Sequence, residues 1–157
     1  MRRLIVLSLA ALAVAVTTAV AAPPRAQIGV RSTTLGSVLV DARGHTLYAY
    51  DNGICSGACT ASWPPFVTAR APLALKGVKA SLIGTMKRSD GTLQVTFAHH
   101  ALFFFAGDAK AGQVNGAAVP HWSALSPTGA KVHAKPAGST STTPAPIYGG
   151  GGDGYGP

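Results

Sequence analysis

Two cysteines, five histidines and five aspartates are the side chains of this sequence best suited to chemistry, and no glutamate accompanies them. Cys55 and Cys59 enclose three residues, Ser56-Gly57-Ala58, and run on to Trp63-Pro64-Pro65. In an oxidising compartment such a pair closes a short disulfide loop beneath the tryptophan. The same two sulfurs would serve as a redox dithiol or as soft-metal ligands. A thioredoxin-type centre, however, wants Cys-x-x-Cys at a helix start, and the spacing here is one residue longer with no βαβ pattern around it. His45, His99, His100, His121, His133 and Met86 are donors for copper or zinc. Adjacent His99 and His100 point to opposite faces of an extended strand, and no His-x-His or His-x-x-x-His pair occurs, so turn and edge positions account for them and no metal site is expected.

Catalysis has little to draw on. Of the carboxylates, Asp41 and Asp90 fall in turn sequences and Asp153 in a Gly-rich tail, leaving Asp51 and Asp108 in comparable loops. A paired acid and base is the functional reading of those two, and loop ordering through backbone hydrogen bonds the simpler one. The sequence has no Gly-x-Ser-x-Gly elbow, no phosphate loop and no Cys-x-x-Cys-His haem attachment. Neither an enzyme nor a cofactor is expected.

The elements that must position these groups lie between two ends of different character. Arg2 and Arg3 precede an apolar run from Leu4 to Val16 and the small-x-small sequence Ala19-Val20-Ala21, which reads as a secretory signal cleaved after Ala21. The run is too short for a comfortable membrane span, and no later segment reaches the roughly 18 apolar residues one needs. Expected boundaries are a signal peptide over 1–21, a Pro-containing lead-in over 22–34, one domain over 35–134 and a low-complexity, disordered tail over 135–157. The product would be secreted or periplasmic.

Within the domain the pattern is strand and turn. Val38 to Asp41 and Thr46 to Tyr50 flank Ala42-Arg43-Gly44 as a hairpin. Ser81 to Arg88 and Leu93 to Phe97 flank Ser89-Asp90-Gly91 as another, with Leu93, Val95 and Phe97 on one face. Ala101 to Phe105 reads as a strand buried on both sides, with Phe104 opposite Phe103 and Phe105. Trp122 to Leu125 and Ala130 to His133 flank a last turn.

The domain also looks duplicated. His45-Thr46-Leu47-Tyr48-Ala49-Tyr50 aligns with His100-Ala101-Leu102-Phe103-Phe104-Phe105, and each copy continues through a polar loop to a tryptophan, Trp63 or Trp122. Copies at about 36–69 and 82–133 imply an all-β fold of two tandem hairpin-rich repeats packed as one small sandwich or barrel-like domain.

Those residues resemble a bacterial family of secreted repeats and predicted lipoproteins with a Tyr-x-aromatic-x-x-Asp motif. The resemblance rests on Leu47-Tyr48-x-Tyr50, Cys55-x-x-x-Cys59 and Trp63-Pro64-Pro65, then on Phe103-x-Phe105-x-x-Asp108, Gly112, Asn115-Gly116 and Trp122. It implies an exported repeat fold and no particular activity, with Tyr48, Tyr50, Asp51, Trp63, Phe103, Phe105, Asp108 and Trp122 as motif or binding positions. Neither copy keeps the motif whole. Five places after Tyr48 stands Gly53, with Asp51 arriving early as though the loop were shortened, and Phe103 replaces the tyrosine ahead of Asp108.

Charge adds one more expectation. The chain carries a net +8, and Arg70, Lys76, Lys79, Lys87 and Arg88 fall where the copies join, with no acidic residue between Asp51 and Asp90. Such a stretch suits an anionic envelope component, a lipid headgroup or wall polymer; no nucleic-acid recognition motif is present. The sequence therefore points to a disulfide-stabilised, non-enzymatic envelope module, with envelope redox or metal handling through Cys55, Cys59 and the histidines as the alternative.

Overall fold

A computed structural model describes residues 25–53 and 55–134; the expected signal peptide and C-terminal tail lie outside them. The chain runs through β1 (Gln27–Thr33), β2 (Gly36–Asp41), β3 (Tyr48–Tyr50), a single helical turn α1 (Cys59–Ser62), β4 (Val67–Thr68), β5 (Leu73–Ala74), β6 (Ile83–Lys87), β7 (Leu93–Phe97), β8 (His100–Ala101), β9 (Trp122–Leu125) and β10 (Lys131–Val132). Short 3-10 turns cover Ala80–Leu82 and Asn115–Ala118. The described strands form three small sheets, β2-β1-β5, β10-β9-β3, and β6-β7 with β4 and β8 sharing the far edge of β7. The fold is all-β, but no sheet closes on itself, so the barrel-like alternative gives way to small open sheets. No described helix is long and apolar enough to cross a membrane.

Alternation and turn chemistry account for the β6-β7 hairpin. Val95 and Phe97 are fully buried, while Gly91 at the turn has φ +83°. There Asp90 accepts hydrogen bonds from the Thr92 N–H and hydroxyl at 2.9 and 2.6 Å. The β9-β10 pair forms with Leu125 opposite Lys131. The expected hairpin after β2 shrinks to a bridge, Val40 opposite Thr46, closed by Gly44 at φ +87°. β3 then leaves its neighbour to pair with β9, 72 positions on, as Tyr50 opposite Trp122.

The lead-in requires correction. Residues 28–33 pair residue for residue with β2, and Ile28 is fully buried. The first copy therefore opens on β1, as the second opens on β6. The strand was obscured because its outer half, Arg31 to Thr33, is polar and half-buried or exposed. Ala101 to Phe105 is also less regular than expected. Only His100–Ala101 is a strand, and Phe103 makes isolated bridges to Tyr48 and Pro65. Its burial on two sides holds nonetheless: Leu102 enters a core with Leu39, Leu47, Phe66 and Phe97, while Phe103 enters one with Val38, Tyr48, Trp63 and Trp122.

Many contacts survive exchange of the two copies. Tyr48 and Phe103 exchange N–H···O hydrogen bonds, both 2.9 Å. The Phe66 N–H donates to the Leu102 carbonyl and that of Leu125 to the Leu47 carbonyl; the Ala106 N–H donates to Ser62 and that of Asp51 to His121. Trp63 stacks on Phe105 at 4.4 Å and Trp122 lies against Tyr50 at 4.7 Å, while the two indoles stack on each other at 3.6 Å and 3°. The copies thus face each other about an approximate two-fold axis between the tryptophans. Neither half has a core alone, since each supplies one wall of both.

Candidate ligand-binding cleft

The exchange reunites the broken motif. Tyr48 of the first copy donates its hydroxyl to Asp108 of the second at 2.5 Å, and the Asn115 N–H donates to the other carboxylate oxygen at 3.1 Å. Burial of the Tyr48 ring is the main cause of a strongly raised phenol pKa, reinforced by the Asp108 hydrogen bond and charge. The side chain is fully buried, and a Cβ on Gly116 would stand 2.8 Å from its ring. Above this pair the second loop folds back on the first copy, the Gly112 N–H donating to the Gly44 carbonyl at 2.9 Å and the Thr46 hydroxyl to the Gln113 carbonyl at 2.6 Å. Only a shallow pocket of about 280 Å³ remains beside Asp108.

On the other side of the axis, Phe103 stands where Tyr48 stood and Gly53 where Asp108 stood. Hydroxyl and carboxylate are missing together. The connecting loop is also shorter, Asp51 to Ser62 against Ala106 to His121, and carries the Cys55–Cys59 disulfide. A cleft of about 640 Å³ opens there, walled by Gly53 and Ser56 of the short loop, Met86 to Ser89 of the β6-β7 hairpin, and His99 to Ala101. Tyr50 contributes aromatic surface, and the buried Phe103 lies beneath the floor. Residues 84–125 match the family model of a secreted repeat of unknown function. No curated protein and no solved structure matches the chain.

The matched span runs from within β6 to the end of β9, so the segment similar to a secreted repeat falls in the second half of this two-fold arrangement. Its tryptophan, Trp122, and its motif aromatics, Phe103 and Phe105, hold the shared core together with Trp63 and Tyr48. Among the motif positions, Tyr50, Asp51 and Phe103 line the cleft, Asp108 and Phe105 line the smaller pocket, and Trp63 and Trp122 are buried in their stack. Phe104 packs against Phe66 at 5.2 Å between rings and is half-buried.

Asp51 sits in a polar cluster that the sequence did not reveal. Its carboxylate accepts from Lys131 Nζ at 2.8 Å and from the Ser123 hydroxyl at 3.0 Å, and His133 Nε2 lies 3.2 Å from the same hydroxyl. Desolvation is the largest influence on the Asp51 carboxyl and would raise its pKa, but Lys131 and Ser123 together outweigh it and hold it below the usual range. Serine, histidine and aspartate here do not make a nucleophilic triad. In that machinery histidine lies between serine and carboxylate, whereas Ser123 lies between the other two and is fully buried. The local signal for the cluster was the two-residue spacing Lys131-x-His133 at the end of the edge strand β10, which in extended backbone places both on one face.

The cleft walls are cationic. Lys87 is exposed and makes no ion pair among the described residues, and the Arg88 guanidinium is held by the Gln94 side-chain oxygen at 2.7 Å. Gln94, itself buried, is anchored by donating to the Leu102 carbonyl at 2.8 Å. Lys131 is matched by Asp51 and Arg88 by Asp90 at 3.4 Å, which leaves Lys87 as the unpaired cation of the lining among the described residues. His100 has a lowered pKa, first from desolvation and then from the Lys131 charge, so it is neutral at pH 7. Among the described residues no three His, Cys, Asp or Glu side chains are grouped to hold a metal ion.

Proposed function

We propose that this protein is an exported, non-enzymatic module that binds an anionic component of the cell envelope, lipid headgroup or wall polymer, through its basic surface. The observation that carries the reading is the exposure of Arg70, Lys76, Lys79 and Lys87, which form no ion pair among the described residues. Such charges have no ion pair to break before contact and attract a polyanion over about a Debye length. The family's description as a secreted repeat supports the location, and the arrangement of Ser123 between Asp51 and His133 supports a role other than catalysis. The disulfide supports a structural use of both cysteines: it ties Cys55, which is buried beside Trp63, to the start of α1.

The test is co-sedimentation of purified protein with phosphatidylglycerol-containing vesicles, phosphatidylcholine vesicles, and insoluble cell wall carrying phosphate polymer. Binding to an anionic partner that falls with salt and is lost in the Arg70→Gln/Lys76→Gln/Lys79→Gln variant is expected. The vesicle and wall arms separate the two sources of anion. Equal binding to neutral vesicles, or no binding in any arm, would overturn the reading.

A further inference from the structure

We propose that the cleft over Phe103 is a separate binding site for a small organic anion, one charged head on an apolar chain or ring. It goes beyond surface attachment and shares only Lys87 with it. The comparison within the molecule carries the argument. The equivalent site on the opposite side of the two-fold axis is filled by the Tyr48 hydroxyl and Asp108 carboxylate and roofed by the Gly112-Gln113 segment. Here both members of the polar pair are replaced, by Phe103 and Gly53, so the opening leaves no orphaned buried side-chain donor or acceptor among the described residues. The shorter loop is closed on itself by Cys55–Cys59, and its Gly53 and Ser56 line the cleft together with His99 and Ala101.

The resulting space is of the size that holds small ligands, about 640 Å³. Its surface is divided by chemistry. Tyr50, Met86 and Ala101 offer an apolar wall above the buried Phe103, while Lys87 brings charge that Asp51 does not cancel and Arg88 stands beside it, shared with Asp90 at 3.4 Å. Arg88 is positioned in advance, since its guanidinium donates to the anchored Gln94 side-chain oxygen at 2.7 Å and to Asp90 at 3.4 Å. That preorganisation suits a charge-assisted contact with a carboxylate or phosphate oxygen. The rim is also strained. Ala98 and His99 form the two-residue β7-β8 turn with φ +47° and +68°, a conformation that Asn-Gly would adopt at lower cost. The turn places His99 and His100 in the lining of the cleft.

Titration calorimetry of the native, disulfide-bonded protein with decanoate, 1-decanol and acetate tests the assignment, with backbone NMR spectra locating the site. Decanoate should bind at least about tenfold more tightly than either partial analogue, the factor expected when one desolvated charge-assisted contact, or the apolar body, is lost. Shifts should centre on residues 86–89 and 99–101. Met86→Trp, which fills the cleft, should abolish binding, and Lys87→Glu, an exposed reversal that spares the core, should weaken it about tenfold. The Arg70→Gln/Lys76→Gln/Lys79→Gln variant should bind decanoate normally, so failure of the cleft and failure of surface attachment are distinguishable. Equal affinity for decanol, indifference to both cleft variants, or no decanoate binding would overturn the proposal.

Discussion

Removing the Tyr48 hydroxyl should expose the energetic meaning of the contact between the copies, and alkaline pH isolates it. In Tyr48→Phe the ring stays and the donor to Asp108 is lost. A buried hydrogen bond to a charged acceptor is worth about 1.5 to 3 kcal/mol, so the variant should be less stable by about 2 kcal/mol at pH 7. Tyr48 is protonated in the folded protein well above the ordinary phenol range because burial, then Asp108, oppose its ionisation. Its contribution is fully present below the unfolded pKa of about 10 and declines as the pH rises above it, because the unfolded chain releases the proton first. Between pH 9 and 11 one such proton is worth about 1.4 kcal/mol, which wild type should lose beyond whatever Tyr48→Phe loses. Lysines and the remaining tyrosines titrate in both proteins and cancel. Urea unfolding monitored by tryptophan fluorescence at several pH values gives the difference directly. Parallel profiles for the two proteins would refute the reasoning, even if the loss at pH 7 were as expected.

Gly116→Ala should destabilise by about 1 to 3 kcal/mol, because the new Cβ would lie 2.8 Å from the Tyr48 ring and 3.0 Å from Trp63; thermal unfolding measures it. Asp51 has a lowered pKa, so its stabilising effect is present above the unfolded value of about 3.9 and lost as the pH falls through the folded one. Asp51→Asn should therefore flatten the acid limb of the stability profile below about pH 4, read from acid-induced unfolding. Replacing both Cys55 and Cys59 by serine should cost roughly 2 kcal/mol, the entropy of so short a loop. Denaturant midpoints of the variant and of reduced wild type should agree.

What was legible followed local pattern. The β6-β7 hairpin shows itself through the alternation of Leu93, Val95 and Phe97 and through Asp90-Gly91, both short-range signals. β1 lacked that signal because Ile28 is its one large, fully buried side chain and the polar half from Arg31 to Thr33 resembles a linker. The duplication was readable, and with it the positions of Tyr48, Phe103, Trp63 and Trp122 in the repeat. Their partners were not. A motif read along one copy looks damaged twice, and only antiparallel pairing of Tyr48 with Phe103 shows that one intact hydroxyl meets one intact carboxylate. A sequence clue was present in the correlated losses, Gly53 accompanying Phe103. Cleft residues such as Met86 and Lys131 carried no such mark, since they belong to different elements that meet through tertiary packing.

The stacked tryptophans have a bearing on molecules with a single repeat. Because each indole is covered chiefly by the opposite copy, a lone repeat would present a naked aromatic face and would need a second molecule to cover it, in a head-to-head pair with two identical Tyr-Asp contacts. Joining both copies in one polypeptide supplies the partner at every concentration. It also removes the obligation to be identical. One contact suffices to fasten the halves, and its twin is released to acquire a different occupation.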